Sequence, residues 1–425
     1  MKFMRFLSVH RASLRLRHVL AAVLSAAGLI NPVWADSAAE APRVSWSGFL
    51  SQAVYSTSDN DFFGYSDDKV AWDYREVGLI GRAMLTDRTD FSAQLLSRRA
   101  GLADDGSPRI DYAFFTYDLA NSVNLEQGLR LGKVKSPVGF YNDTREVPFT
   151  RSGILLPQGI YYDRLRNSAF STYSLQYFAD YRGDLSSLSL KLQAGQLIVD
   201  SKELSDLVGF RQLNGKGEPK ESYQFALFYD YDASRIRAGF TFSEGHFIFK
   251  PHYTNFLYAD GSVNFLNAPG NVRNSQAVFS LEYNALDWSV TSEIAEARVR
   301  VHGFNSIVPT DFEDQPFAIY VQGIYRISEK WDVLARYDES HLDHGDWTGK
   351  KYEEIYKTTV GGPAFTRYTK DMTFGAGWKP SHDLMIRGEL HVVEGTSWIS
   401  IRYSDSYADY RKYWNMALIQ LSYRF

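Results

Sequence analysis

The chain has 425 residues, of which 46 are basic and 50 are acidic, and it contains no cysteine. The lack of cysteine excludes disulfides, thiolate metal sites and a thiol nucleophile, and it fits a protein that matures in an oxidising compartment. The acidic excess argues against a nucleic-acid-binding protein.

The first 35 residues have the pattern of a secretory signal peptide. Five basic residues and no acidic one precede an apolar run from Val19 to Ile30, and Val33-Trp34-Ala35 follows. We expect cleavage after Ala35 and export of residues 36–425 as one domain. The alternative is an uncleaved anchor helix, but this apolar run is short for a bilayer. Because residues 1–35 carry five positive charges, their removal changes the formal net charge from −4 to −9.

The exported part alternates apolar and polar side chains over segments of about 10 to 14 residues. Alternate side chains of a strand point to opposite faces of a sheet. In Trp331–Asp338, one face carries Trp331 and Val333 and the other carries Arg336 and Asp338. We predict sixteen strands, near residues 44–57, 73–86, 90–99, 109–119, 127–137, 168–182, 185–198, 222–232, 235–245, 274–284, 287–299, 315–327, 331–341, 368–379, 383–394 and 413–425.

The connections between these strands alternate between short and long. Seven are short, such as 87–89 and 328–330, and eight are long, such as 58–72, 100–108 and 395–412. This rhythm predicts an all-β fold, a transmembrane antiparallel up-and-down β-barrel of about 16 strands with both ends at the periplasmic rim. A secreted sandwich or propeller is the alternative, although such folds do not usually show this rhythm. The many Tyr and Phe residues predict aromatic girdles or, alternatively, a sugar-stacking surface in the lumen.

The chain ends on an alternating strand. Ile419, Leu421, Tyr423 and Phe425 alternate with polar residues, and Phe425 is the last residue. This ending resembles the terminal strand of bacterial outer-membrane barrels. The resemblance implies that Leu421, Tyr423 and Phe425 form an assembly signal for the barrel assembly machinery.

The third long loop, residues 138–167, contains an apolar run, Ile154-Leu155-Leu156, that gains nothing from exposure to water. The segment before it, Leu131–Gly139, is similar to the Gly-x-x-Lys-x-Pro-x-Gly strand end of porin-like and phosphate-selective-porin-like proteins. The whole exported chain resembles the sixteen-stranded porins of Gram-negative outer membranes. The resemblance implies an inward-folded third loop, a homotrimer, contact with membrane lipid and lipopolysaccharide, and passage of small hydrophilic solutes.

Charged residues of the third loop are the candidates for the pore constriction, and strand parity adds candidates for the pore wall. A basic wall that faces a mixed-charge loop sets ion preference. We therefore predict a nearly unselective or weakly anion-preferring channel, unless these charges merely pair with one another. The constriction candidates are Asp143, Arg145, Glu146, Arg151, Asp163, Arg164 and Arg166. The wall candidates are Arg82, Arg98, Asp111 and Arg130, and parity also turns Lys191, Arg237, Arg326, Arg336, Arg387, Asp230, Glu282, Glu293, Asp332, Asp338 and Glu389 inward, whereas it leaves Lys133 and Lys135 undecided.

Catalytic and metal sites have weak support. His341-Leu342-Asp343-His344 is the one local His pair, and it opens a long loop, where a solvated role is the ordinary one. We expect no catalytic residue, metal or cofactor. A barrel with hydrolase activity and a non-conducting adhesin or structural barrel are the two alternatives to a channel.

Overall fold

In the computed structural model, the described residues are 43–163, 166, 171–199, 215–251, 254–257, 263–266, 269–303, 311–356, 362–400 and 409–425. The predicted signal peptide and Arg164 lie outside these residues. Within them, no helix is long and apolar enough to cross a membrane.

Sixteen long antiparallel strands of the described chain form one sheet, in which each strand pairs with the next. The first strand also pairs with the last, from Phe49 opposite Arg424 to Thr57 opposite Met416, so the sheet closes into a barrel. Closure leaves no unpaired edge, as a bilayer requires. The long strands are β1 (Arg43–Thr57), β2 (Ala71–Thr86), β3 (Thr89–Ala100), β4 (Asp104–Asn121), β5 (Leu125–Lys135), β6 (Ser171–Arg182), β7 (Ser186–Leu197), β8 (Gly215–Tyr231), β9 (Ile236–Pro251), β12 (Gly270–Asn284), β13 (Trp288–His302), β15 (Phe317–Arg326), β16 (Trp331–His341), β17 (Tyr368–Trp378), β18 (Leu384–Gly395) and β19 (Tyr413–Arg424).

Minor elements lie in the long connections. Strands β10 (Thr254–Leu257) and β11 (Val263–Leu266) pair as a hairpin, and β14 (Phe312–Asp314) adds to β13. A helix, α1 (Lys350–Tyr356), lies between β16 and β17. The alternation pattern did not predict these elements.

The predicted fold class and all sixteen strand positions are confirmed, but several of the long loops are shorter than predicted. The predicted loop 100–108 is wrong: β3 and β4 continue to a tight turn at 101–103. Gly101 makes this turn possible, since it adopts a φ of +54° and any Cβ there would meet the Phe63 carbonyl. Strands β8 and β9 also extend further than predicted, and polar pairs such as His246 Nδ1 and Glu221 Oε1, 3.1 Å apart, lie along the extended part.

The two faces of the barrel differ as the alternation predicts. In β19, Ile419 is 63% exposed on the outer face, whereas the adjacent Gln420 is 1% exposed on the inner face. Tyr and Trp side chains recur on the outer face at the short-turn end of the strands, which is typical of the aromatic girdle of a membrane barrel. Exposed examples are Tyr181, Tyr231, Tyr283, Trp288, Tyr325, Trp331, Trp378 and Tyr423.

Phe425 lies at the seam where the barrel closes. Its backbone N–H donates to the Gly48 carbonyl at 3.0 Å, and its carbonyl accepts from the Gly48 N–H at 2.8 Å. The ring covers Gly48, where a Cβ would collide with it, and lies 6.0 Å from the Trp46 ring. Phe425 therefore joins β1 to the end of β19.

Candidate functional site

The apolar run of the third loop is buried. Ile154 and Leu155 belong to a cluster that also holds Tyr74 of β2, Trp414 of β19 and Trp398. Leu156 belongs to a second cluster with Val278 of β12, Ala295 of β13 and Tyr320 of β15, so inward side chains from several strands cover the run. The predicted burial of the run is confirmed.

Two wall carboxylates hold the backbone of the third loop. Glu389 of β18 accepts the N–H groups of Ile154 at 2.7 Å and Leu155 at 3.2 Å. Glu293 of β13 accepts the N–H of Phe140 at 2.8 Å and the hydroxyl of Tyr161 at 2.6 Å. Such bonds to an ionised acceptor are stronger than neutral ones.

Two wall arginines bind carbonyl groups of the same loop. Arg336 of β16 donates to the Leu155 carbonyl at 3.0 Å, and Arg387 of β18 donates to the Pro148 carbonyl at 3.0 Å. The loop thus meets donors and acceptors from strands on several sides of the ring.

A larger set of ionised side chains joins the loop to strands β2 to β5. We call these ten residues the charge cluster. Five are basic and five acidic, so their formal charges cancel, and every one of them is buried. The charge cluster consists of Arg98, Lys135, Arg145, Arg151 and Arg166 with Glu76, Asp104, Asp111, Glu146 and Asp163.

Glu76 is the centre of the charge cluster. Its Oε2 lies 2.7 Å from Nη2 of Arg151, and its Oε1 lies 3.0 Å from Nη2 of Arg166 and 3.5 Å from Nε of Arg98. A single fully buried carboxylate on β2 therefore faces three guanidinium groups, two of them from the third loop. Burial of so many charges is tolerable only because each has an opposite charge beside it.

Asp163 is the second shared acid of the charge cluster. Its Oδ1 lies 2.9 Å from Nη2 of Arg98, 3.1 Å from Nη1 of Arg166 and 3.4 Å from Nη2 of Arg145. Glu146 pairs with Arg166 and, at 3.1 Å, with Nζ of Lys135. The Nζ of Lys135 also lies 2.7 Å from Asp111 Oδ2, so this lysine, whose direction parity left undecided, joins β4 and β5 to the loop.

Burial shifts the pKa values of two loop side chains. It lowers the pKa of the Arg145 guanidinium, and the nearby Arg98 and Arg151 lower it further, against the opposing effect of Asp163. It raises the pKa of Tyr161 well above its ordinary value, and Glu293, which accepts the Tyr161 proton in a hydrogen bond, raises it further. Tyr161 is therefore a neutral donor at any physiological pH.

The structure brings most predicted site residues together, but not all. Arg145, Glu146, Arg151, Asp163, Arg166, Arg98 and Asp111 meet in the charge cluster. Asp143 instead pairs with Lys191 of β7, and Arg82 pairs with Asp90 at 2.9 Å on its own side of the wall. Arg130 lies apart from these pairs, between two aromatic rings.

Sequence reasoning did not single out Glu76 and Asp104. Glu76 shares the parity of Arg82 on β2, so the alternation pattern already turned it inward. The pattern carried no sign, however, that the third loop would supply its partners. Lys133, whose direction parity left undecided, lies in exposed surroundings, where its Nζ donates to the Ile110 carbonyl at 2.6 Å.

The His pair does not form a metal centre in the described structure. His341 uses Nδ1 for the Trp347 carbonyl at 2.7 Å and Nε2 for Glu339 at 2.9 Å, and its ring stacks on Trp347. Among the described residues, no group of three His, Asp or Glu side chains is arranged to hold a metal ion.

No protein-family model matches the chain, and no curated protein matches it in sequence. Solved structures do match it. The outer-membrane-expressed OmpT of Vibrio cholerae is similar with a TM-score of 0.55 and 12% identity, over 92% of this chain and 99% of that one. The anion-selective porin from Comamonas acidovorans is similar with a TM-score of 0.54 and 9% identity, over 91% of this chain and 100% of that one. The chain has the fold of the outer-membrane porins.

A channel of this porin fold, DcaP of Acinetobacter baumannii, gives a TM-score of 0.52 at 13% identity, over 92% of this chain and 100% of that one. These matches extend over nearly the whole chain and therefore include the strands of the closed ring. The structural similarity establishes the porin fold. The permeant solute is a property of the residues that line the lumen.

Proposed function

We propose that the protein is an outer-membrane channel for passive diffusion of small hydrophilic solutes and ions. One observation carries the proposal: a closed ring of sixteen strands turns polar side chains inward and apolar ones outward. A ring of this size leaves room for an aqueous lumen. Its outer face suits lipid, and its inner face suits water.

We further propose that the third loop folds into the lumen and forms the constriction. Its backbone and side chains bond to Glu76, Glu293, Arg336 and Glu389, which belong to β2, β13, β16 and β18. One short segment can reach strands on several sides of a closed ring only from within it. The buried Ile154–Leu156 run supports the same arrangement.

The balance of charges supports a nearly unselective channel with a weak preference for anions. The described arginines of the third loop have acidic partners, so the loop adds little net positive potential to the lumen. Arg130 and Arg326 face the lumen with polar but uncharged hydrogen-bond partners, Gln176 and Ser289. These cations, together with Arg336 and Arg387, which bond to carbonyl groups of the loop, are the source of the weak anion preference.

Single-channel recording of the refolded protein, without residues 1–35, tests the proposal. We expect stepwise currents in planar bilayers and a small reversal potential in a salt gradient, with the sign of anion preference. A folded barrel that conducts no current, or one with strong cation preference, contradicts the proposal.

The outer face of β2, β3 and β4 supports a homotrimer. Gly81, Ala93 and Ala113 lie directly opposite one another across these three strands, with the same outward parity as Leu79, Leu95 and Phe115. Such a row of small residues makes a flat surface on which a second copy of the barrel can pack closely. Elsewhere the outer face carries mainly large apolar and aromatic side chains suited to lipid.

The Ala93→Trp variant tests this contact. We expect the indole ring to prevent close packing of barrels, so that trimers seen in unheated gels give way to monomers, while circular dichroism stays that of a folded barrel. The matched control is Ala335→Trp, at an outward position of β16 on another part of the ring. Equal trimer content in the two variants contradicts the proposed contact face.

We propose three further partners of the barrel: membrane lipid, lipopolysaccharide and the barrel assembly machinery. Lipid would cover the outer apolar face, and lipopolysaccharide would meet the outward cations Arg75, Arg99 and Lys133 near the long-loop end of the barrel. The barrel assembly machinery would read the end of β19.

A further inference from the structure

Arg130 of β5 differs from the paired cations of the lumen. It faces inward and is half-buried. Within the described chain it has no carboxylate at ion-pair distance, whereas Arg98 and Arg237 have two or more each. Its one hydrogen bond in these residues runs from Nη1 to the Gln176 side-chain oxygen at 3.1 Å.

Two aromatic rings cover the faces of this guanidinium. The Arg130 Cζ lies 4.5 Å from the ring centre of Phe178 on β6 and 5.4 Å from that of Phe114 on β4. Each ring attracts the cation through its electron-rich face. The guanidinium is held between the two neighbouring strands, and its Nε is buried without a hydrogen-bond partner among the described residues.

The sequence around Arg130 makes room for these rings. Gly128 and Gly132 flank Arg130 on the same face of β5, opposite Phe178 and Phe114 respectively. A Cβ on Gly128 would lie 2.8 Å from the Phe178 ring, and one on Gly132 would lie 2.8 Å from the Phe114 Cα. Gly128 therefore leaves the space that the Phe178 ring fills, and Gly132 allows the backbone of Phe114 to lie close to β5.

A chain of buried amides orients the same group. Gln176 accepts from Arg130 and donates to Gln193 at 2.5 Å, and Gln193 donates to the Thr172 hydroxyl at 2.7 Å. Every member points its acceptor toward Arg130, so the arginine keeps its role as a donor. The chain holds the arginine in place without neutralising its charge.

We propose that Arg130 is the centre of a binding subsite for an aromatic monocarboxylate in the lumen. Planar guanidinium groups bind carboxylates through two parallel hydrogen bonds. The half-buried rings of Phe114 and Tyr112, 5.6 Å apart, offer a surface against which an aromatic ring can stack beside that carboxylate. The inference rests on the proposed channel, because solute must reach this position through the lumen.

The test measures block of the open channel by sodium benzoate, with sodium acetate and benzyl alcohol as probes that carry only the carboxylate or only the ring. We expect benzoate to reduce current at concentrations at which the other two have no effect. In Arg130→Gln we expect roughly tenfold weaker block, since a charge-assisted bond is lost. Benzoate should block Arg130→Lys more weakly than the wild type and more strongly than Arg130→Gln, because lysine keeps the charge and loses the planar pair of donors.

The matched control is Arg182→Gln, the same substitution at an exposed ion pair with Glu126 on the rim of β6. The subsite is supported if benzoate blocks this control as strongly as it blocks the wild type and blocks Arg130→Gln more weakly. The subsite is overturned if benzoate blocks the wild type, Arg130→Gln and Arg182→Gln equally. It is also overturned if acetate blocks the wild-type channel as strongly as benzoate does.

Calorimetric titration of the detergent-folded protein with sodium benzoate separates this inference from the channel itself. Binding to the wild type that Arg130→Gln weakens supports the subsite even if the barrel passes no current. Absence of binding to the wild type overturns the subsite and leaves the channel proposal standing if currents are present.

Discussion

Replacement of Glu76 by Gln is expected to make the channel clearly anion-selective and its third loop unstable. Glu76 is fully buried and faces Arg98, Arg151 and Arg166. The substitution keeps the shape of the side chain but removes its negative charge. The balanced charge cluster then carries one net positive charge beside the loop.

The expected energetic effect is also large. Removal of one partner from a buried ion pair costs roughly 3–5 kcal/mol, because the remaining charge loses its compensation. Two of the three affected arginines belong to the third loop, so the loop, more than the barrel, takes up this cost. We expect frequent current fluctuations where the wild-type channel is quiet, and a reversal potential shifted toward that of an anion channel.

A matched control is Glu126→Gln, which removes an equal charge from an exposed pair with Arg182. An exposed pair contributes little, about 0–1 kcal/mol, so selectivity and current noise should stay near those of the wild type. If Glu76→Gln behaves as this control does, the charge cluster does not lie beside the path of the ions.

Deletion of Phe425 is expected to abolish most assembly of the barrel in cells. The residue supplies the last pair of backbone hydrogen bonds between β19 and β1, and its ring covers Gly48. Without it, the seam begins one residue further in and the terminal aromatic of the proposed assembly signal is lost. The measurement is the amount of heat-modifiable barrel in isolated outer membranes.

The same variant should refold in detergent, because one ring contact and one end pair contribute only about 1–2 kcal/mol to a barrel with a long hydrogen-bonded seam. Phe425→Tyr is the control, since it keeps the aromatic ring and the backbone pair. Normal amounts of the deletion variant in the outer membrane would mean that Phe425 serves only the seam. Failure of the deletion variant to refold in detergent, while Phe425→Tyr refolds, would mean that its role is structural.

The charge cluster also shows why strand parity predicts whether a charged side chain points into the lumen better than it predicts the effect of that charge on ions. Parity turned Arg98, Asp111 and Arg130 inward, and all three lie inward, although Asp111 does so at a bulge of β4 that interrupts the alternation. It could not tell that Arg98 is neutralised by Asp163 of the loop while Arg130 has only rings and an amide beside it. An inward position therefore does not by itself give a residue an effect on ions.

The sequence by itself determined the closed sixteen-strand barrel, because period-two alternation and the rhythm of short and long connections act locally along each hairpin. The sequence also predicted that the Ile154–Leu156 run of the third loop is buried, since apolar residues in a loop must be covered. Only the tertiary structure decided which charges cancel, because Glu76 and Arg166 are distant in the chain and meet only after the ring closes. The same holds for Arg130, whose two rings come from strands on either side of its own.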